Sequence, residues 1–153
     1  MTSVIKKKLN PEEIARLSSA YLNEGRAKEA WEISHIEIED KILTARIRMR
    51  SCYTSPTDPE GFHLTIFSTL EFLSQLMIIY VHVWAGYTKK TKEGWMVDCS
   101  ISSKHAIRDP ENIQVRMEVT SIKKVQDNIL IVTKSRVSDS NGLFEARLKG
   151  FLS

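Results

Sequence analysis

With 153 residues and 42% hydrophobic side chains, the chain has the size and apolar content of one ordinary globular domain, 1–153, able to bury a core without staples. Its 22 basic and 19 acidic residues leave a net charge of +3 and are mixed along the sequence, which argues against a nucleic-acid arm or an acidic tail and leaves room for a small anionic ligand. Cys52 and Cys99 lie far apart without metal-type spacing, and Met1 to Lys8 lack the apolar stretch of a secretory signal, so a cytoplasmic, disulfide-free chain without a bound metal is expected.

Asn10-Pro11-Glu12-Glu13 reads as a helix start, with Asn10 as N-cap, Pro11 at the first helical position and two acids at the positive end of the helix dipole. Ile14, Leu17, Tyr21 and Leu22 continue at helical spacing, so one surface helix to Gly25 is expected. Trp31 to Ile38 then reads as a strand, followed by a tight turn at Glu39-Asp40-Lys41. In the next strand Leu43, Ala45, Ile47 and Met49 alternate with Thr44, Arg46, Arg48 and Arg50, the pattern of one dry and one wet face. Residues 51–62, with Pro56, Pro59 and Gly61, form a loop.

Leu64 to Trp84 contains no Pro or Gly and is apolar on nearly every side, which predicts a helix with buried surroundings. Its length approaches that of a membrane span, but Ser68, Glu71, Ser74, Gln75 and His82 interrupt it, and a carboxylate inside an isolated span is costly. It reads as the core helix of a domain. Strands are then expected at Trp95–Ser102, Gln114–Lys123, Ile129–Ser138 and Leu143–Leu152. Turn chemistry at Gln126-Asp127-Asn128 and Asp139-Ser140-Asn141-Gly142 makes the last three an antiparallel meander. A six-stranded antiparallel sheet curled around one long helix, with an extra N-terminal helix, is the α+β hotdog arrangement; another α+β sandwich of the same element order is the alternative.

On the long helix Leu64, Ser68, Glu71, Gln75, Ile78 and His82 share one face. A carboxylate one turn before an amide inside a buried helix needs partners, and burial should push its pKa upward, the profile of a general acid or base. The alternative is a polar stripe hydrogen-bonded across a subunit interface.

The run Leu70-Glu71-Phe72-Leu73-Ser74-Gln75-Leu76 resembles the central-helix motif of hotdog β-hydroxyacyl-thioester dehydratases, with Glu71 and Gln75 on its glutamate and glutamine. The position held by the catalytic histidine in that family is Thr57 here, so the pair is broken unless His63 replaces it. Over residues 60–153 the chain also resembles FcoT-like long-chain fatty acyl-CoA thioesterases. That likeness rests on His63-Leu64-Thr65, Ser74-Gln75-Leu76, the basic link Ser103-Lys104-His105-Ala106-Ile107-Arg108-Asp109-Pro110, and Asp139-Ser140-Asn141-Gly142 with Glu145-Ala146-Arg147-Leu148. Thr65 and Ser74 stand where that family has asparagines.

The resemblance implies an acyl-thioester hydrolase in which Glu71 activates water, backbone N–H groups near Leu64 to Ile66 hold the oxyanion, and His63, Thr65 and Ser68 orient water or substrate. Coenzyme A or phosphopantetheine would arrive as part of the substrate, the latter on an acyl carrier protein, with no separate cofactor. Lys104, His105 and Arg108 would line a basic entrance, or form only a solvated turn; Phe67, Leu70, Phe72, Ile79 and Trp95 would line the acyl tunnel, or only the core. The fold further implies a C2 homodimer, or a higher assembly, joined along an edge strand. A 3-hydroxyacyl-thioester dehydratase and a binding domain without turnover are the two other readings.

Overall fold

The computed structural model describes residues 5–153. In chain order the elements are α1 (Pro11–Leu17), α2 (Ala20–Asn23), a 3-10 turn (Gly25–Lys28), β1 (Ala30–Glu39), β2 (Ile42–Ser51), α3 (Ile66–Trp84), β3 (Gly94–His105), β4 (Ile113–Val125), β5 (Asn128–Ser138) and β6 (Leu143–Leu152). The strands form one antiparallel sheet in the order β1-β2-β4-β5-β6-β3.

Local chemistry sets most boundaries. Asn10 caps α1 in a capping box with Glu13, as the sequence predicts, but the helix stops at Leu17 rather than continuing to Gly25. The Ser18 hydroxyl donates to the Ile14 carbonyl (2.6 Å) and the Ser18 backbone turns extended, so a local side-chain bond displaces the next helical turn. The tight turns after β1 and β4 place Asp40 and Gln126 at φ of 54° and 56°, a region a short polar residue such as aspartate tolerates. Helix α3 begins at Ile66 rather than Leu64. The Leu64 N–H is committed to the Ile107 carbonyl (2.8 Å), while the Thr65 hydroxyl caps the helix by accepting from the Ser68 N–H (3.2 Å).

The inward residues of β2, Leu43, Ala45, Ile47 and Met49, meet Phe72, Leu73, Leu76 and Met77 of α3 in one core with Met117, Ile131 and Leu148. Trp31 closes one end, its ring edge-on to Phe72 at 6.1 Å. Helix α3 is long and apolar enough to cross a membrane, yet half of that stretch is buried inside the domain, and it serves as the core helix. Burial on every side is not what the chain achieves. A single sheet wraps only part of the cylinder, leaving Ile66, Phe67, Glu71 and Gln75 uncovered, and Trp95, Met96 and Val97 of edge strand β3 are exposed too.

The expected polar stripe is therefore split, because it runs along the boundary between the covered and open sides. Ser68 and His82 are buried whereas Glu71 and Gln75 face outward. The His82 Nε2 accepts from the Thr91 and Lys92 N–H groups (2.9 and 3.1 Å), which places its ring proton on Nδ1, against the Ile78 carbonyl at 2.7 Å. His82 thus ties residues 91–92 to the end of α3.

Candidate active site

The N-terminal segment folds back across the start of α3 and brings charged groups to it. Arg26 donates from Nη1 to Glu29 Oε2 (3.1 Å) and Ser68 Oγ (3.2 Å), and its Nη2 lies 3.3 Å from Glu71 Oε1. Its guanidinium carbon stands 5.2 Å over the Phe67 ring. Ser68 Oγ donates to Glu29 Oε2 at 2.7 Å, and Trp31 Nε1 donates to Glu71 Oε1 at 3.3 Å. The Tyr21 hydroxyl reaches Thr65 Oγ1 at 3.5 Å. Burial opposes the charge on Arg26, but Tyr21 and Glu71 outweigh it and hold the guanidinium above its ordinary range.

The two carboxylates differ in setting. The Glu29 side chain is 3% exposed, with its Oε2 held by Arg26 and Ser68, whereas that of Glu71 is 52% exposed on the open side of α3. Glu71 is thus not the buried carboxylate the sequence suggested. Among the described contacts the N–H groups of Ile66 and Phe67, in the first turn of α3, have no protein acceptor. Glu71 stands about 7.5 Å further along the helix axis.

Among the described residues Arg26 is the only cation paired with Glu29, so Arg26→Gln is expected to strand a buried carboxylate. Part of Arg26 is exposed, which puts the loss below that of a fully buried pair, at about 1–3 kcal/mol. Chemical denaturation checks this: a midpoint equal to wild type would show the Glu29 charge to be held by Ser68 alone.

A second group forms beside the helix start. His63 Nδ1 is 2.8 Å from Asp58 Oδ2, and Arg108 lies 3.6 Å from the same carboxylate and 3.0 Å from Glu60. The hydrogen bond from His63 holds Asp58 below the usual carboxylate range. His63 is therefore turned to Asp58 and is not bonded to Glu71, beside which it could have made up for the histidine that Thr57 replaces. Arg108 does sit by the helix start, since the Leu64–Ile107 backbone bond joins the two segments. Lys104 and His105 are exposed at the end of β3.

Asp139 fixes the link that carries Arg108. Its Oδ2 accepts from the Arg108 and Asp109 N–H groups (2.9 and 3.0 Å), and its Oδ1 from those of Asn141 and Gly142. Burial raises its pKa, but these backbone donors outweigh burial and hold the carboxyl below its usual range. A depressed carboxylate contributes stability above its unfolded pKa, and that contribution is lost as pH falls through the folded value. Asp139→Asn is thus expected to lower the thermal midpoint at neutral pH and to flatten its acid decline between about pH 5 and 2. Parallel midpoint curves for the two proteins would contradict this.

Between α3 and the β3–β6 pair lies an apolar cleft of about 190 Å³, with Gly94 and Gly150 in its floor and Met77, Ile78, Met96 and Leu152 around it. Phe67 is half exposed on the helix, with Arg26 over its ring. Trp95 also borders the cleft, its backbone carbonyl lying beside Gly150, though its side chain is largely exposed. The register pairs Trp95 with Phe151, and strand alternation turns both to the outer face, opposite to Gly94, which faces Ile78. Arg26, Glu29, Trp31 and Tyr21 were absent from the sequence prediction; they lie some forty positions from their partners, beyond any local pattern.

A curved six-stranded antiparallel sheet around a long central helix, preceded by a short N-terminal helix, is the hotdog fold, and this chain has it. Neighbours among solved structures are proteins of that fold, several of them bearing thioesterase names. The thioesterase PA1618 from Pseudomonas aeruginosa is 14% identical, with 98% of each chain covered and a TM-score of 0.56. The conserved protein PA5202 from the same organism is 11% identical over 91% of this chain and 98% of its own, at 0.56. The thioesterase HI1161 from Haemophilus influenzae is 13% identical over 97% of this chain and 93% of its own, at 0.50. At these identities the likeness establishes the fold. No family model and no curated protein matches the sequence.

Proposed function

We propose that the chain hydrolyses acyl thioesters, with Glu71 as general base. The placement of Glu71 supports this most: an exposed, oriented carboxylate on the open side of α3, a short way above N–H groups without acceptors. The thioesterase names of its structural neighbours agree with it at the level of class.

In this reading the thioester carbonyl lies over the start of α3. Glu71 takes a proton from water as the water oxygen bonds to the carbonyl carbon. The carbonyl oxygen becomes an oxyanion held by the Ile66 and Phe67 N–H groups and the helix dipole. When the tetrahedral intermediate collapses, the C–S bond breaks and the sulfur receives the proton back from Glu71. Trp31 and Arg26 orient the carboxylate, and Thr65 and Ser68 keep the helix start in shape. Gln75, one turn further along the open side, lies where it can meet the acyl chain. The substrate is an acyl thioester of coenzyme A or of phosphopantetheine on a carrier protein, its phosphates entering by Arg108, Lys104 and His105 and its acyl chain running toward the Met77–Met96 cleft.

Dehydration needs a second acid–base group beside Glu71, and His63 is engaged with Asp58 instead. Hydrolysis needs only the one. Thiol release from an acyl-CoA series of increasing chain length tests the reading; bound substrate without release would leave a binding domain.

The open side of α3 and edge strand β3 fit a C2 dimer in which β3 pairs with its copy and each copy covers the other's exposed helix face. Met96→Lys places a charge in that contact. It is expected to shift sedimentation toward monomer and to reduce thiol release in parallel; a monomeric variant with full turnover would separate the two.

A further inference from the structure

On the outer face of the sheet, behind the strands that cover α3, lies a second polar constellation that thioester chemistry leaves unused. Its outward-facing side chains form two rows across four strands. In one row the register sets Arg116 opposite Arg136, Arg136 opposite Glu145, and Glu145 opposite Ser102. In the next, Glu118 faces Lys134, Lys134 faces Arg147, and Arg147 faces Ser100. Together they border a hollow of about 440 Å³.

Each row puts two cations directly opposite one another, Arg116 with Arg136 and Lys134 with Arg147, and like charges in that position destabilise a sheet. Carboxylates stand next in each row. Yet among the described residues none of these four cations has a carboxylate oxygen within 4.0 Å. Four cations against two carboxylates leave the face with net positive charge around a recess.

We propose that this hollow binds a small phosphorylated ligand through a compact phosphoanhydride or bisphosphate group. Guanidinium forks match phosphate oxygens in pairs, and an anion placed between opposed cations turns their repulsion into attraction. The Ser100 and Ser102 hydroxyls add donors at the β3 side. The volume is that of a small-molecule site. Glu118 and Glu145, at opposite corners, disfavour a long polyphosphate backbone such as nucleic acid and can accept from hydroxyl or amino groups on a small ligand. The site is independent of the thioester reading, because the sheet separates it from α3.

The test is a titration of the full-length, 15N-labelled chain with inorganic pyrophosphate at low ionic strength, following the Ser100, Ser102, Ser135 and Arg136 amides. The expected result is a saturating one-site shift at those amides and a raised thermal midpoint. The double variant Lys134→Gln/Arg136→Gln should bind at least about 10-fold more weakly, having lost two charge-assisted bonds. Arg147→Gln, which removes one cation, should weaken binding to a smaller extent and serves should the double variant not fold. Unmoved amides at those four positions, an equal pyrophosphate effect on the variants and wild type, or dissociation of an oligomer in the variants would each overturn the proposal, the last by making this face a contact between copies.

Discussion

Glu71→Gln is expected to cut thiol release from acyl-CoA by roughly 100- to 10,000-fold, the range general-base catalysis supplies. The substitution keeps the side chain's volume, and the amide oxygen can still accept from Trp31, so substrate positioning should persist. What disappears is the capacity to take a proton from water. Stability should change little, because Glu71 is half exposed and its pair with Arg26 lies at the edge of solvent, where such pairs contribute at most about 1 kcal/mol. KM should move much less than kcat, since the carboxylate acts on water and not on the bound acyl chain. Comparison at matched oligomeric state separates chemistry from assembly. Unchanged release would move the base to another carboxylate, with Glu29 next in line beneath Ser68. If wild type releases no thiol, the hydrolase reading falls and dehydration of 3-hydroxyacyl thioesters becomes the assay to run.

Gly142→Ala is expected to destabilise the fold by about 2–3 kcal/mol, because the added carbon has no room. It would lie 2.3 Å from the Ala106 carbonyl oxygen and 2.7 Å from the carbonyl carbon, and 2.6 Å from the Ile107 side chain. Two of these are backbone atoms in a link that Asp139 pins from both sides, so relief by rotamer change is closed off. For a chain of this length the thermal midpoint should fall by roughly 4–12 °C. Displacement of the link also strains the Leu64–Ile107 bond and moves Arg108, so a rise in KM for coenzyme A thioesters should exceed any loss in kcat. An unshifted midpoint would mean that the hairpin moves freely from the link.

Much of this architecture was legible because it rests on local chemistry. The alternation from Leu43 to Arg50, the Asn10 cap, the unbroken apolar run of α3 and the turn residues at 126–128 and 139–142 each announce an element without reference to the rest of the chain. The break at Ser18 was missed because serine is compatible with both a helix interior and a cap, and only its bond to Ile14 decides. The site was half legible. Glu71 stands out as a carboxylate in an apolar helix, but its partners Arg26 and Trp31 arrive from a segment some forty residues away, and which side of α3 stays open depends on how far the sheet curls. Trp95 borders the apolar cleft, but which face its ring takes was not legible, since an aromatic in a strand is as compatible with the outer face as with the inner.

The sheet order has a further consequence, for how the chain reaches this state. Strand β3 follows α3 directly yet finds its sheet neighbour in β6, so Ser100 must wait for Arg147. During synthesis β1 with β2 and β4 with β5 can zip as hairpins, while β3 stays without a neighbour and the α3 residues Met77 and Ile78 remain uncovered on its side. The larger entropic cost lies elsewhere: pairing Ile47 with Ile113 closes the longest loop of the topology, through α3 and β3, while His105 with Leu143 closes a shorter one.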